Sequence, residues 1–98
     1  MSHLDHILIY KFRTKEEFKH ILYHEIGHHV FRHKLNSVQR KKWVTQVYPK
    51  SAHVSEYATT NANEDFAETY AFYVQNSIRV SAIPTKLEFM QKVFSPSN

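Results

Sequence analysis

The stretch ILYHEIGHHVFRH, residues 21–33, decides how the rest of the chain is read. It holds four histidines and the only glycine of a 98-residue chain, where average usage would place roughly seven glycines. Its histidines and aliphatic residues recur at helical spacing, yet glycine inside a helix costs about 1 kcal/mol relative to alanine. Gly27 therefore asks for a reason. At about 100° per residue, Ile21, His24, Glu25 and His28 share an arc of roughly 100° on one face, and Gly27 flanks it. A residue without a side chain there lets another backbone or an aromatic ring pack closely against the helix.

Working outward, Thr14 and Glu17 form a capping-box signal that opens this helix, predicted over about 15–34, and Asn36 and Ser37 break it. Upstream, HILIYKF (6–12) reads as a strand from its partial alternation. Downstream, Ser37 is placed to cap a second helix through about Val47, with a strand at 43–48 as the alternative, and Pro49 ends either element. A loop follows to residue 61, with a short extended piece around HVSEY. Asn61 and Glu64 then repeat the capping signal for a third helix over about 62–77. Thr85 and Glu88 repeat it once more for a C-terminal helix and tail, about 85–98, with Leu87, Met90, Val93 and Phe94 as an apolar stripe. The expectation is one domain spanning 1–98, of α+β class, mainly helical with a small sheet. A lone strand at 6–12 is not stable, so it needs a partner from 43–57, from the tail or from another chain, which leaves room for an oligomer.

Composition narrows the function. Without cysteine there is neither a disulfide framework nor a thiolate metal site, so a metal would rest on His and carboxylates. No stretch approaches the length of a membrane span and no export signal opens the chain, so a cytoplasmic protein with no membrane partner is expected. The formal charge of +4 is spread evenly. Only RKKW (40–43) is a basic run, and it reads as a solvated helix face rather than a nucleic-acid patch. At 14% Phe, Tyr and Trp, aromatic residues should dominate a small core.

The chemistry sits in His24, Glu25 and His28, an H-E-x-x-H pattern. Two imidazoles one turn apart can both reach a Zn2+ ion, and the carboxylate between them points to where a metal-bound water would sit. His20/His24 and His29/His33 share the spacing, but neither pair has a Glu directly after its first His. Zinc also wants a third protein ligand, with the fourth position kept for water in a catalytic site. Glu64 and Glu68, one turn apart on the third helix, supply a ligand and a neighbour able to accept a histidine N–H, the order between them being open.

HEIGH followed by YATTNANEDFAE resembles the gluzincin metallopeptidases, and the spacing from Tyr57 to Glu68 is similar to that in the anthrax lethal factor catalytic domain and the Pro-Pro endopeptidases. In length the chain is similar to the minigluzincins. The resemblance covers residues 24–68 and implies a minimal zincin-like fold hydrolysing peptide or protein substrates. It makes His24, His28 and Glu64 the zinc ligands and Glu25 the general base. By the same resemblance Tyr57 stabilises the oxyanion, and Glu68 holds a ligating histidine from behind. It further implies that the chain's own C-terminal segment can act as an inhibitor. The chain departs from larger relatives in having no substrate-binding subdomain.

Other readings stand beside this one. HEIGHHVFRH is also similar to the H-E-x-x-H-x4-H run of proteases that cleave phage-type repressors. A binding or regulatory module with a purely structural zinc would need a fourth protein ligand, for which His53 and Glu68 are the candidates. His29 and His33 read as surface residues, as do His53 and Glu56, and Tyr70, Phe72 and Tyr73 read as core.

Overall fold

A computed structural model describes residues 14–94, and within them every regular element is helical. Helix α1, Lys15–His29, starts where the Thr14 hydroxyl accepts the Glu17 N–H at 3.1 Å. A π-helical turn, Val30–Lys34, extends it, and Leu35 leaves it in extended backbone. Helix α2, Ser37–Lys42, runs on through a π turn, Trp43–Val47, and a last turn, Tyr48–Lys50. An irregular loop then carries one 3-10 turn, Tyr57–Thr59. Helix α3, Ala62–Gln75, is capped by Asn61, and short α4, Ser77–Ser81, leads to α5, Pro84–Phe94.

The expected α+β fold with a small sheet is corrected: no strand occurs among the described residues. The strand read at 6–12 lies outside them. Part of its proposed partner region is wound into helix at 43–50: Trp43 and Val47 are buried while Thr45 between them is exposed, whereas a strand would put all three on one face. Residues 51–56 are irregular, so the HVSEY piece offers no strand either. Three smaller readings also shift. Asn36, one residue before Ser37, caps α2 through a reciprocal capping box with Gln39. Pro49 sits inside the final turn of that element instead of ending it. Helix α5 begins at Pro84, whose fixed φ suits a first helical turn, so Thr85 lies inside the helix.

Aromatic residues do build the core. Trp43, with no exposure, meets Phe66 and Phe89 edge-on at ring-centroid distances of 5.0 Å each, and Phe31 meets Phe66 at 5.1 Å. Val30, Leu35, Val47 and Met90 complete this cluster. Edge-to-face pairs of this kind contribute about 0.5–1.5 kcal/mol beyond their burial. A second cluster of Val54, Ala58, Val80 and Ile83 sits under the loop. Since Phe89 and Met90 belong to the main core, α5 is part of the domain's interior.

Helices α1 and α3 form the central pair and run antiparallel, the start of α1 meeting Gln75 at the end of α3 and His28 meeting Glu64 at its start. Gly27 is where they touch. A Cβ built there would lie 2.9 Å from the Ala67 Cα and 3.0 Å from the Ala67 carbonyl oxygen, both backbone atoms. The missing side chain is thus a packing requirement that lets the two helices approach closely.

Candidate metal centre

The close contact between Gly27 and Ala67 brings together the polar residues that flank each of them, His24 and His28 on α1 and Glu64 and Glu68 on α3. On α1, His24 is buried and His28 half-buried; on α3, Glu64 is half-buried and Glu68 buried. The Glu64 Oε1 lies 2.9 Å from His24 Nε2 and 3.1 Å from His28 Nε2. The donor atoms of these three residues all fall within 4.8 Å of one another. Donors around a tetrahedral zinc with bonds of about 2.0–2.1 Å lie roughly 3.3 Å apart, so the short contacts need to open by only a few tenths of an ångström. Two imidazoles and a carboxylate are also a donor set that zinc accepts, so the residues fit the ion.

Behind this trio, Glu68 Oε2 accepts the His24 Nδ1–H at 2.7 Å, which aims Nε2 of the same ring at Glu64. His20, one turn before His24, places its Nε2 2.8 Å from the same oxygen and its Nδ1 3.1 Å from Gln75 Oε1. The other oxygen of Glu68, Oε1, accepts from the Ser55 hydroxyl at 2.8 Å. Tyr57, about half exposed at the start of the 3-10 turn, stands with its ring centroid 5.6 Å from that of His24. Glu25 is half-buried on the same helix as the two histidines. Beyond His20, an open cavity of about 570 Å³ is lined by Ile21 and Phe72 among others; it lies beside the donor cluster.

Charge in this region is strongly coupled. Burial would raise the Glu68 pKa, but hydrogen bonds from His20, His24 and Ser55, with the charge of His20, hold it far below the usual carboxylate range. Burial would likewise lower the His24 pKa, but Glu68 and Glu64 outweigh it and the value is raised. The Tyr57 phenol is pushed up by burial, then by the charges of Glu64 and Glu68, a hydrogen bond to Glu64, and the charge of Glu25.

These shifts set a pH dependence in protein kept with a chelator. The lowered Glu68 contributes stability that is complete above its ordinary value of 4.5 and is lost as pH falls through its folded pKa. The raised His24 contributes stability that is complete below 6.5 and is lost as pH rises through its folded pKa. Urea unfolding in chelator should therefore give its highest midpoint between pH 4.5 and 6.5, and the Glu68→Gln, His24→Gln double variant should flatten the profile. A profile that the double variant leaves unchanged would refute the assignment to this pair.

Of the residues singled out from sequence, His24, His28, Glu64 and Glu68 thus meet in one place, with Tyr57 beside His24 and Glu25 on the same helix as the two histidines. His29 and His33 stack on each other, exposed, with ring centroids 4.4 Å apart. His53 turns away from the trio: its Nδ1 lies 3.0 Å from Asp65 Oδ1. There it joins a buried ion pair in which Lys86, unexposed, donates to Asp65 Oδ1 at 2.8 Å and to the Ala52 carbonyl. Burial lowers the Lys86 pKa and Asp65 opposes the shift. Sequence reasoning missed this pair, and it missed Ser55. His20 left one signal, its spacing of four from His24.

A helix carrying H-E-x-x-H, with a glutamate from an antiparallel second helix set against both histidines, defines a zinc-protein class of site. The chain belongs to the family described as "Putative zinc-binding metallo-peptidase", whose model matches residues 1–88. No curated protein and no solved structure matches it. Among the described residues no helix is long and apolar enough to cross a membrane.

Proposed function

We propose that the chain is a zinc-dependent endopeptidase of gluzincin type, most similar in scale to the minigluzincins, with His24, His28 and Glu64 holding the ion. The observation that carries this is the convergence of those three donors, with Glu25 on the same helix as both histidines and the Tyr57 ring beside that of His24. Zinc bound there supplies a Lewis acid and lowers the pKa of a coordinated water. Glu25 takes the proton from the attacking water as its oxygen bonds to the peptide carbonyl carbon. The Tyr57 hydroxyl donates to the oxyanion that develops on the carbonyl oxygen. Glu25 then delivers the proton to the leaving nitrogen as the C–N bond breaks, giving a carboxylate and an amine. Glu68 keeps the His24 Nδ1–H engaged, so that Nε2 is the nitrogen presented to the ion.

A purely structural zinc would need a fourth protein ligand, and both candidates are otherwise engaged, His53 with Asp65 and Glu68 with His24. Because Pro84–Phe94 belongs to the core, we place any self-inhibition in residues after Phe94, to be tested by truncation there. A cytoplasmic location belongs to the same proposal.

The test is metal content per chain after zinc reconstitution, on wild type, His24→Ala and Glu64→Ala, each verified as folded by circular dichroism. One zinc in wild type, lost or weakened at least tenfold in both variants, is expected. Full zinc retention in both folded variants would overturn the ligand assignment, and zinc binding without hydrolysis of a mixed peptide library, in full-length and truncated forms, would overturn the peptidase reading.

A further inference from the structure

The site has two parts that come from different segments. The metal-binding donors stand on the helix pair α1 and α3, whereas Tyr57 stands on the 3-10 turn of the loop between α2 and α3. Most tethers of that loop avoid the donors. Lys86 holds the Ala52 carbonyl, Arg79 donates to the Val54 carbonyl at 3.1 Å, and the Tyr48 hydroxyl donates to the Thr59 carbonyl at 2.9 Å. One tether differs. The Ser55 hydroxyl donates to Glu68 Oε1 at 2.8 Å, and the same oxygen atom of Ser55 accepts the N–H of Ala58, the residue after Tyr57, at 3.2 Å. A serine hydroxyl offers one donor and two acceptor lone pairs, so both bonds form together.

Glu68 therefore splits its two oxygens between two tasks, Oε2 for His24 and His20 and Oε1 for Ser55. We propose that Ser55 is a positioning residue that sets the Tyr57 turn against the His24–Glu68 pair. It acts through hydrogen bonds at both ends of a short bridge, from the carboxylate that holds His24 from behind to the amide next to the phenol-bearing residue. The role of Tyr57 in this proposal rests on the peptidase reading; the bridge itself does not. Ala58 is unexposed, so when the hydroxyl is removed its N–H loses the acceptor that the fold provides.

The test uses the zinc-loaded full chain with Ser55→Ala and Ser55→Thr, the second retaining a hydroxyl. Amide hydrogen exchange at Ala58 should quicken roughly tenfold in Ser55→Ala, as loss of one hydrogen bond implies, and return toward wild type in Ser55→Thr. The proton NMR cross-peaks between the Tyr57 and His24 rings should weaken in Ser55→Ala only. If wild type hydrolyses peptides, Ser55→Ala should lower kcat with KM nearly unchanged, and should add no further loss in a Tyr57→Phe background. Unchanged Ala58 exchange and ring cross-peaks would overturn the bridge, whether or not hydrolysis is seen. Independent, multiplying losses in kcat would overturn its action through Tyr57. Absence of hydrolysis in wild type with the exchange and cross-peak effects present would instead count against the peptidase reading alone.

Discussion

Glu25→Gln is expected to retain one zinc per chain and to lower peptide hydrolysis by about 10²–10⁴-fold, the usual range for removal of a general acid–base group. Glutamine keeps the volume and an acceptor oxygen but cannot take a proton from water. The fold should tolerate the change, because Glu25 is half-buried and lies outside the hydrogen bonds that tie Glu64 and Glu68 to His20, His24 and His28. Unaltered hydrolysis in a zinc-loaded Glu25→Gln protein would remove Glu25 from the mechanism.

Gly27→Ala is expected to destabilise the protein, against the sign that helix propensity alone gives. Alanine in a helix interior is worth about 1 kcal/mol over glycine. The new Cβ, however, would meet Ala67 Cα at 2.9 Å, Ala67 O at 3.0 Å and Tyr70 Cβ at 3.2 Å. Two of these are backbone atoms of the facing helix and the third is fixed to it, so relief requires α1 and α3 to separate. Overpacking of this kind costs typically about 1–3 kcal/mol, enough to cancel or exceed the propensity gain, and the bulkier Gly27→Val should lose more. Separation of the helices would also draw His24 and His28 away from Glu64, so zinc affinity should fall even in protein that remains folded. A thermal midpoint raised in Gly27→Ala, with zinc affinity intact, would show that the helices do not meet at this position.

The zinc-bearing helix was legible because its signals are local. The Thr14 and Asn61 side chains do accept the amide three residues on, and the H-E-x-x-H spacing places two imidazoles on one face wherever the helix is packed. Gly27 was legible as a packing position for the same reason: its cost within a helix demands compensation outside it. No sheet forms among the described residues: the alternative strand at 43–48 rested on a short apolar run, which fits a buried helical turn equally well, and the strand read at 6–12 lies outside them. At 43–50 the core decided the matter, since it takes Trp43 and Val47 but leaves Thr45, which a strand would place on the same face, exposed.

The amino-acid sequence by itself therefore determined the helix carrying His24, Glu25 and His28, the capped helix carrying Glu64 and Glu68, and the close approach that Gly27 permits. Only the tertiary structure decided that Glu64 faces both histidines, that Glu68 divides its oxygens between His24 and Ser55, and that Asp65 and Lys86 pair in the interior. Capping and helical spacing act within one turn, and residue types reveal them. Hydrogen bonds between residues 13 to 44 positions apart depend on how whole helices pack, which no local pattern encodes.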